Sequence, residues 1–374
     1  MTAQSVPPDW TRRRLVASLV GAGAVAPFLR GSRSSQGEPV VLRYTAHIPS
    51  SHGLYTRVFL PWEEMVTERT GGRIRWEHYV DALLHGALDG FKAIASGITD
   101  YTHGYATYQP GSFRLTHGLQ LPFLFPNPAV ASLVSEELYP RYLKSEYERM
   151  GVYLAHCDVT TAYDLISKRP VRTPEDIRGM KVRSTGGLMA EIVREVGAIP
   201  VVIAASETYT AFQRGLIDAV ALGGPDMAAY RLFETGRYCL RLGLTHTVLQ
   251  YCLNPRTFDA LPDDLRVHLY ELFRFRGQIA HRNYYGSRAL EAALDRLREG
   301  GVEILEPTPE ELRAWQDAVA PLERRFIEEN ERRGLAAEAF VREARERAAR
   351  YAGWSDDELW DHVARHPTQG IIDL

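Results

Sequence analysis

Along the chain, apolar positions switch between every second residue and every third or fourth, and back. Residues 40–46 (VVLRYTA) have the composition of a strand. A helix carrying Val58, Leu60, Trp62, Met65 and Val66 then runs to a stop at Gly71-Gly72, and 74–80 is the next strand. Residues 82–97 read as a helix, with Leu83, Leu84, Leu88, Phe91 and Ile94 at helical spacing. This βαβα order predicts a parallel sheet with helices packed on it. Further strands are expected at 152–156 and 164–167, and apolar residues alternate over 244–253.

The stretch 171–225 repeats the rhythm most clearly. Thr173-Pro174-Glu175-Asp176 has the form of a helix start, with a capping Thr, Pro at the first helical position and acids in the first turn. Gly179 ends that turn, and Met180-Lys181-Val182-Arg183-Ser184 reads as a strand with Lys181 and Arg183 on one side. After Thr185-Gly186-Gly187 comes a helix through Leu188, Ile192, Val193 and Val196, stopped by Gly197. The guanidinium of Arg183 therefore ends a strand beside a Gly-Gly turn, where free backbone N–H groups converge. A carboxylate or a phosphate needs such a place. Strand 200–203, helix 208–214 and strand 217–222 complete the pattern.

From Pro262 to Gly300 no proline interrupts a helical pattern. An unbroken helix of that length would reach about 58 Å, although Gly277 and Gly286 offer places to break it. Residues 307–351 are helical and rich in charge, as solvated helix faces covering a sheet are.

The central stretch closely resembles the DctP-like family, the periplasmic substrate-binding proteins of TRAP transporters for organic acids. The matching residues are Pro174-Glu175-Asp176, Gly179-Met180-Lys181-Val182-Arg183, Gly197-Ala198-Ile199-Pro200-Val201, Glu207-Thr208-Tyr209-Thr210-Ala211-Phe212-Gln213 and Gly215-Leu216-Ile217-Asp218-Ala219. Thr70-Gly71-Gly72-Arg73-Ile74, Gly97-Ile98-Thr99-Asp100, Leu121-Pro122-Phe123-Leu124-Phe125 and Leu261-Pro262-Asp263-Asp264-Leu265 fit it as well, so the likeness covers roughly residues 40–330. It implies a two-lobed α/β fold of the periplasmic-binding-protein type II kind, each lobe a mostly parallel sheet flanked by helices, with a long helix lying across both. It implies a receptor that binds an organic acid between its lobes and delivers it to the integral membrane subunits of a TRAP transporter. In the family the Arg matching Arg183 pairs with the ligand carboxylate. The expected lobes are 37–157 with 244–275, and 158–243 with 276–374, joined near 158–160 and 244–253.

Other candidate ligand contacts follow from position. Tyr105 and Tyr108 lie in an aromatic, Gly-rich loop after a strand, where a ring excludes water and a hydroxyl meets a polar group. Phe123 is a candidate cleft wall, Thr160 sits at the first crossing, and Gly187 opens the helix beside Arg183. At 218–225 the sequence departs from its relatives. Gly224-Pro225 resembles the 2-oxo-acid group, whose members often hold a metal-bridged ligand, yet Ala221 stands where that metal's carboxylate would be. Leu222 replaces a side chain that would donate to the ligand or stack on it. Leu222 and Pro225 are thus expected to line a more apolar pocket that needs no metal.

At 374 residues the chain accommodates two domains with buried cores, and a net charge of −3 gives no reason to expect a nucleic-acid partner. Thr11-Arg12-Arg13-Arg14-Leu15-Val16 followed by an apolar run to Leu29 resembles a twin-arginine export leader, taken as residues 1–36. That run is too short to span a bilayer comfortably, and the exported protein is expected not to span a membrane. Three cysteines, Cys157, Cys239 and Cys252, lack metal-like spacing and suit buried thiols, with a Cys239–Cys252 pair as the alternative. His362 and His366 have the i, i+4 spacing of a metal pair, but Val363 leaves no zincin glutamate. No nucleophile elbow, phosphate loop or cofactor fingerprint occurs. A solute receptor without a cofactor is the main reading. An exported α/β enzyme acting on a small organic anion, its groups converging only in space, is the alternative.

Overall fold

The computed structural model describes residues 38–374, so the arginine-led leader lies outside the described residues. Two mixed sheets form, each with its own apolar core. The first contains β1 (Val40–Thr45), β2 (Ile74–Tyr79), β3 (Tyr101–Gly104), β4 (Tyr153–Val159) and β10 (Val248–Leu253), in the order β2-β1-β3-β10-β4. The second contains β5 (Tyr163–Ser167), β6 (Lys181–Ser184), β7 (Ile199–Val202), β8 (Ala219–Gly223), β9 (Tyr238–Leu240) and β11 (Glu303–Leu305), in the order β11-β9-β5-β8-β6-β7.

The chain crosses between sheets after β4 and returns after β9. The strand that follows each crossing, β5 or β10, runs antiparallel to both of its neighbours, while the remaining pairs are parallel. The two crossings lie side by side and are hydrogen-bonded to each other. Thr160 N donates to Thr247 O at 3.0 Å, Thr247 N to Thr160 Oγ1 at 3.0 Å, and Tyr163 N to Thr245 O at 2.7 Å. A pair of strands that keeps its ladder while passing from one core to the other can flex as a hinge without leaving backbone groups unpaired. Relative to the expected boundaries, the first crossing falls at 160–162 and the second at 241–247, because 248–253 is a strand of the first sheet.

The long helical run connects the lobes in two pieces. Asp263–Tyr285 packs in the first core, through Leu265, Leu269, Phe273, Ile279 and Tyr285. Gly286 is extended (φ −78°, ψ 178°), and Ser287–Glu299 then buries Leu297 in the second core. Residues 276–285 and the C-terminal helices Ala337–Tyr351 and Asp356–Arg365 therefore belong with the first core, not with the second lobe as expected. Amphipathic spacing shows that a helix buries one face, but not which sheet that face meets. The helix expected over 82–97 is also shorter, Gly90–Ser96. Asp81 and Ala82 are left-handed (φ 58° each), His85 Nε2 lies 2.6 Å from Thr45 Oγ1, and Leu83, Leu84 and Leu88 stay exposed despite their helical spacing. The three cysteines are free and buried.

Candidate functional site

β6 carries the site's charge. Thr173 starts the preceding turn as expected, with Asp176 Oδ2 accepting from Thr173 N at 2.9 Å, and Gly179 (φ 74°) turns the chain into the strand. The strand runs from the surface inward, so Lys181 is exposed while Arg183, two residues on, is 1% exposed. Arg183 Nε donates to Ile203 O at 3.2 Å and Nη2 to the Tyr108 hydroxyl at 3.3 Å. Its Nη1 is buried with no hydrogen-bond partner. A buried charged donor without a protein acceptor is costly, so this nitrogen is free to hold an anion.

Arg183 faces a cavity between the lobes. The first lobe lends His47, His52, Tyr105, Tyr108 and Tyr285, the second Tyr163, Leu222, Asp226 and Tyr230, and the crossings Thr160 and Thr247. About 30 Å³ of the cavity is open to the centre of a water molecule, room for water but not for an organic acid. A ligand therefore enters only if the lobes part. Tyr105 and Tyr108 meet edge to face at 5.4 Å, and the Tyr105 hydroxyl lies 3.4 Å from His47 Nε2. A larger hollow of about 640 Å³, lined by Pro122, Phe123, Gln316, Glu323 and Arg345, is open to solvent on another face. Its size is not matched by chemistry, since no unpartnered buried charge points into it.

Burial lowers the pKa of His47 to about 3 and of His52 to about 4, so both are neutral at pH 7. Among the lining residues Arg183 is then the one permanent cation and Asp226 the one carboxylate. Burial pushes the Asp226 carboxyl up to about 7, against the Tyr284 and Tyr285 hydroxyls and Arg183, which pull it down.

Of the residues singled out from sequence, Arg183, Tyr105, Tyr108, Thr160 and Leu222 come together around the cavity. Phe123, Gly187 and Pro225 are not among its lining residues. Phe123 (φ 54°) lines the outer hollow, and its N–H donates to Leu244 O at 3.0 Å. Gly187 (φ 52°) is a point of close approach between lobes, where a Cβ would lie 2.2 Å from the His117 ring. Pro225 O lies 3.5 Å from the Tyr284 hydroxyl. Sequence reasoning missed His47, His52, Tyr163, Asp226, Tyr230 and Tyr285. An acid after Gly224-Pro225 reads as an ordinary first-turn acid, and only its burial marks Asp226 out. Among the described residues no group of three His, Cys, Asp or Glu is placed to hold a metal ion.

A family model described as bacterial extracellular solute-binding protein, family 7 (DctP) matches residues 45–330. The chain belongs to the DctP family. It is accordingly a periplasmic solute-binding protein rather than an enzyme, and the enzyme alternative falls. It is 25% identical over 315 residues to the C4-dicarboxylate-binding periplasmic protein DctP of Rhodobacter capsulatus, covering 83% of this chain and 92% of that one. Its fold is similar to a TRAP solute-binding protein of Rhodoferax ferrireducens in complex with copurified benzoate. The TM-score is 0.79 at 20% identity, over 84% of this chain and 98% of that one. A TRAP solute-binding protein of Bordetella bronchiseptica with bound (R)- and (S)-mandelate is similarly close, with TM-score 0.77, 23% identity and coverage of 83% and 99%. No described helix of this DctP-family member is long and apolar enough to cross a membrane.

Proposed function

We propose that this receptor binds a small organic monocarboxylate, clamped between its lobes on Arg183, and delivers it to the integral membrane subunits of a TRAP transporter. The single observation that carries the reading is the buried Arg183 Nη1 without a partner, on a residue that lines an interlobe cavity. A guanidinium holds a carboxylate through two parallel hydrogen bonds. One lining cation suits one carboxylate, and a second would meet Asp226 rather than a base. The rings of Tyr105, Tyr108, Tyr163 and Tyr230 suit a flat or aromatic body. The relatives named for a C4-dicarboxylate, benzoate and mandelate support an acid as the class. Export through the twin-arginine leader over residues 1–36 completes the reading. Changing Arg12 and Arg13 both to Lys should then leave the protein in the cytoplasm.

A thermal-shift screen of small organic acids identifies a ligand, and calorimetry on Arg183→Ala tests the clamp. Removing one partner of a buried ion pair costs about 3–5 kcal/mol, or about two to three and a half decades of affinity. A folded Arg183→Ala protein within about threefold of wild-type affinity would overturn the proposal.

A further inference from the structure

Asp226 has no structural reason to be a carboxylate. It stands in the short helix Gly224–Ala229, only 6% exposed, on the wall of the Arg183 cavity. Its nearest basic group is His52 Nε2, 3.6 Å from Oδ1, and burial keeps that imidazole neutral at pH 7. What it does have is two hydroxyls from the other lobe. The Tyr284 hydroxyl donates to Oδ1 at 3.1 Å, and the Tyr285 hydroxyl lies 3.4 Å from Oδ1 and 3.3 Å from Oδ2. One phenol proton serves one oxygen at a time. A carboxylate with about four lone-pair sites therefore keeps acceptor capacity beyond these two hydroxyls, on a residue that lines the cavity. A buried acid in a cleft, felt by Arg183 across the cavity but with neither Lys nor Arg in contact, is a mark of function rather than of stability.

We infer that Asp226 is a specificity residue, reading a hydroxyl group on the ligand away from the carboxylate that Arg183 holds. The cavity then takes hydroxy acids in preference to their unsubstituted counterparts. A hydroxyl is the group that fits, because it donates to an ionised carboxylate and accepts from a protonated carboxyl, and so pairs with either form. It is also neutral, whereas an ammonium group would share the cavity with Arg183. The inference rests on the reading that the cleft binds an acid at Arg183. It adds the chemistry of the ligand's other end.

The test is calorimetry with matched pairs: benzoate against 3- and 4-hydroxybenzoate, and phenylacetate against mandelate. The wild type should prefer at least one hydroxy acid over its partner by about tenfold or more. Asp226→Asn, whose amide still bonds a hydroxyl but carries no charge, should narrow the preference to about threefold. Asp226→Leu should abolish or reverse it. Each preference is a ratio measured in one protein, so a loss of folded fraction cancels, and the wild-type ratios stand even if a variant does not fold. Equal affinities within every wild-type pair, with binding that still depends on Arg183, would overturn the inference while leaving the clamp intact. A preference unchanged in Asp226→Asn and Asp226→Leu would do the same. Binding of none of these acids, or binding indifferent to Arg183→Ala, would overturn both readings.

Discussion

The Tyr108 hydroxyl, carried by the first lobe, accepts a hydrogen bond from Arg183 Nη2 of the second at 3.3 Å. The same hydroxyl lies 3.4 Å from Ile203 O, the carbonyl that also accepts from Arg183 Nε at 3.2 Å. These contacts tie the cavity-lining guanidinium of the second lobe to the first. On the clamp proposed above, closing the lobes and aiming the cation are one event. Tyr108→Phe keeps the ring and removes the tie, and the protein should fold normally. A hydrogen bond of this kind contributes about 0.5–1.5 kcal/mol, so affinity should fall by up to about tenfold. Unchanged affinity by calorimetry would show that the hydroxyl plays no part in closure.

Gly187 tests the same closure from the backbone. Its Cβ would meet the His117 ring at 2.2 Å, and its φ of 52° strains any other residue. Gly179 supplies the control, with φ 74° and nothing within 4 Å of a Cβ. Both Gly→Ala changes carry the backbone cost of about 1–2 kcal/mol, but only Gly187→Ala also holds the lobes apart. Small-angle scattering with ligand should show Gly187→Ala more open than wild type, with weaker binding, and Gly179→Ala unchanged. Equal effects of the two would mean that strain, not the interlobe contact, is what matters.

Legibility in the sequence follows how locally each feature is determined. Arg183 could be read because a strand, a Gly-Gly turn and a helix follow one another within a few residues, and the family motif supplied the role. Tyr105, Tyr108 and Leu222 lie in loops or strand ends that the same pattern delimits. Asp226 and His52 could not be read, since their character comes from burial against residues of the other lobe. Leu83, Leu84 and Leu88 misled because spacing alone argued for a helix, while left-handed Asp81 and Ala82 and the Thr45–His85 contact hold the segment as a loop. The placement of Ala337–Tyr351 on the first lobe depends on a partner surface distant in sequence.

Beneath the hinge, Arg276 and Asp158 are both wholly buried, with Arg276 Nη2 3.4 Å from Asp158 Oδ2. The guanidinium also lies against the rings of Trp62, at 5.5 Å, and Tyr251, at 5.2 Å. Breaking such a pair from one side strands a charge and costs about 3–5 kcal/mol. Asp158→Leu alone should therefore unfold at much lower denaturant than wild type, and Asp158→Leu with Arg276→Met should recover much of the loss. Additive losses in the double variant would argue against a coupled pair.

Asp226 should also leave a signature in stability. Burial, opposed by the two tyrosine hydroxyls and Arg183, moves its carboxyl from the ordinary 3.8 to about 7. In the unfolded chain the proton leaves near pH 3.8, and in the folded protein only near 7, so between these values the folded state binds more protons. Stability contributed at this site therefore falls as pH rises through that window and levels off above it. A shift of about three units sets an upper bound of about 4 kcal/mol. Asp226→Asn, which cannot ionise and keeps acceptors for Tyr284 and Tyr285, removes the effect. Measured without ligand, the variant should melt several degrees above wild type at pH 8, with the gap shrinking steadily toward pH 4. The residue that we infer sets ligand preference would then be one the fold is more stable without, as expected where function holds an acid in a dry site. A melting difference that stayed constant from pH 4 to 8 would mean that Asp226 does not change its proton occupancy on folding, and the account of its burial would be wrong.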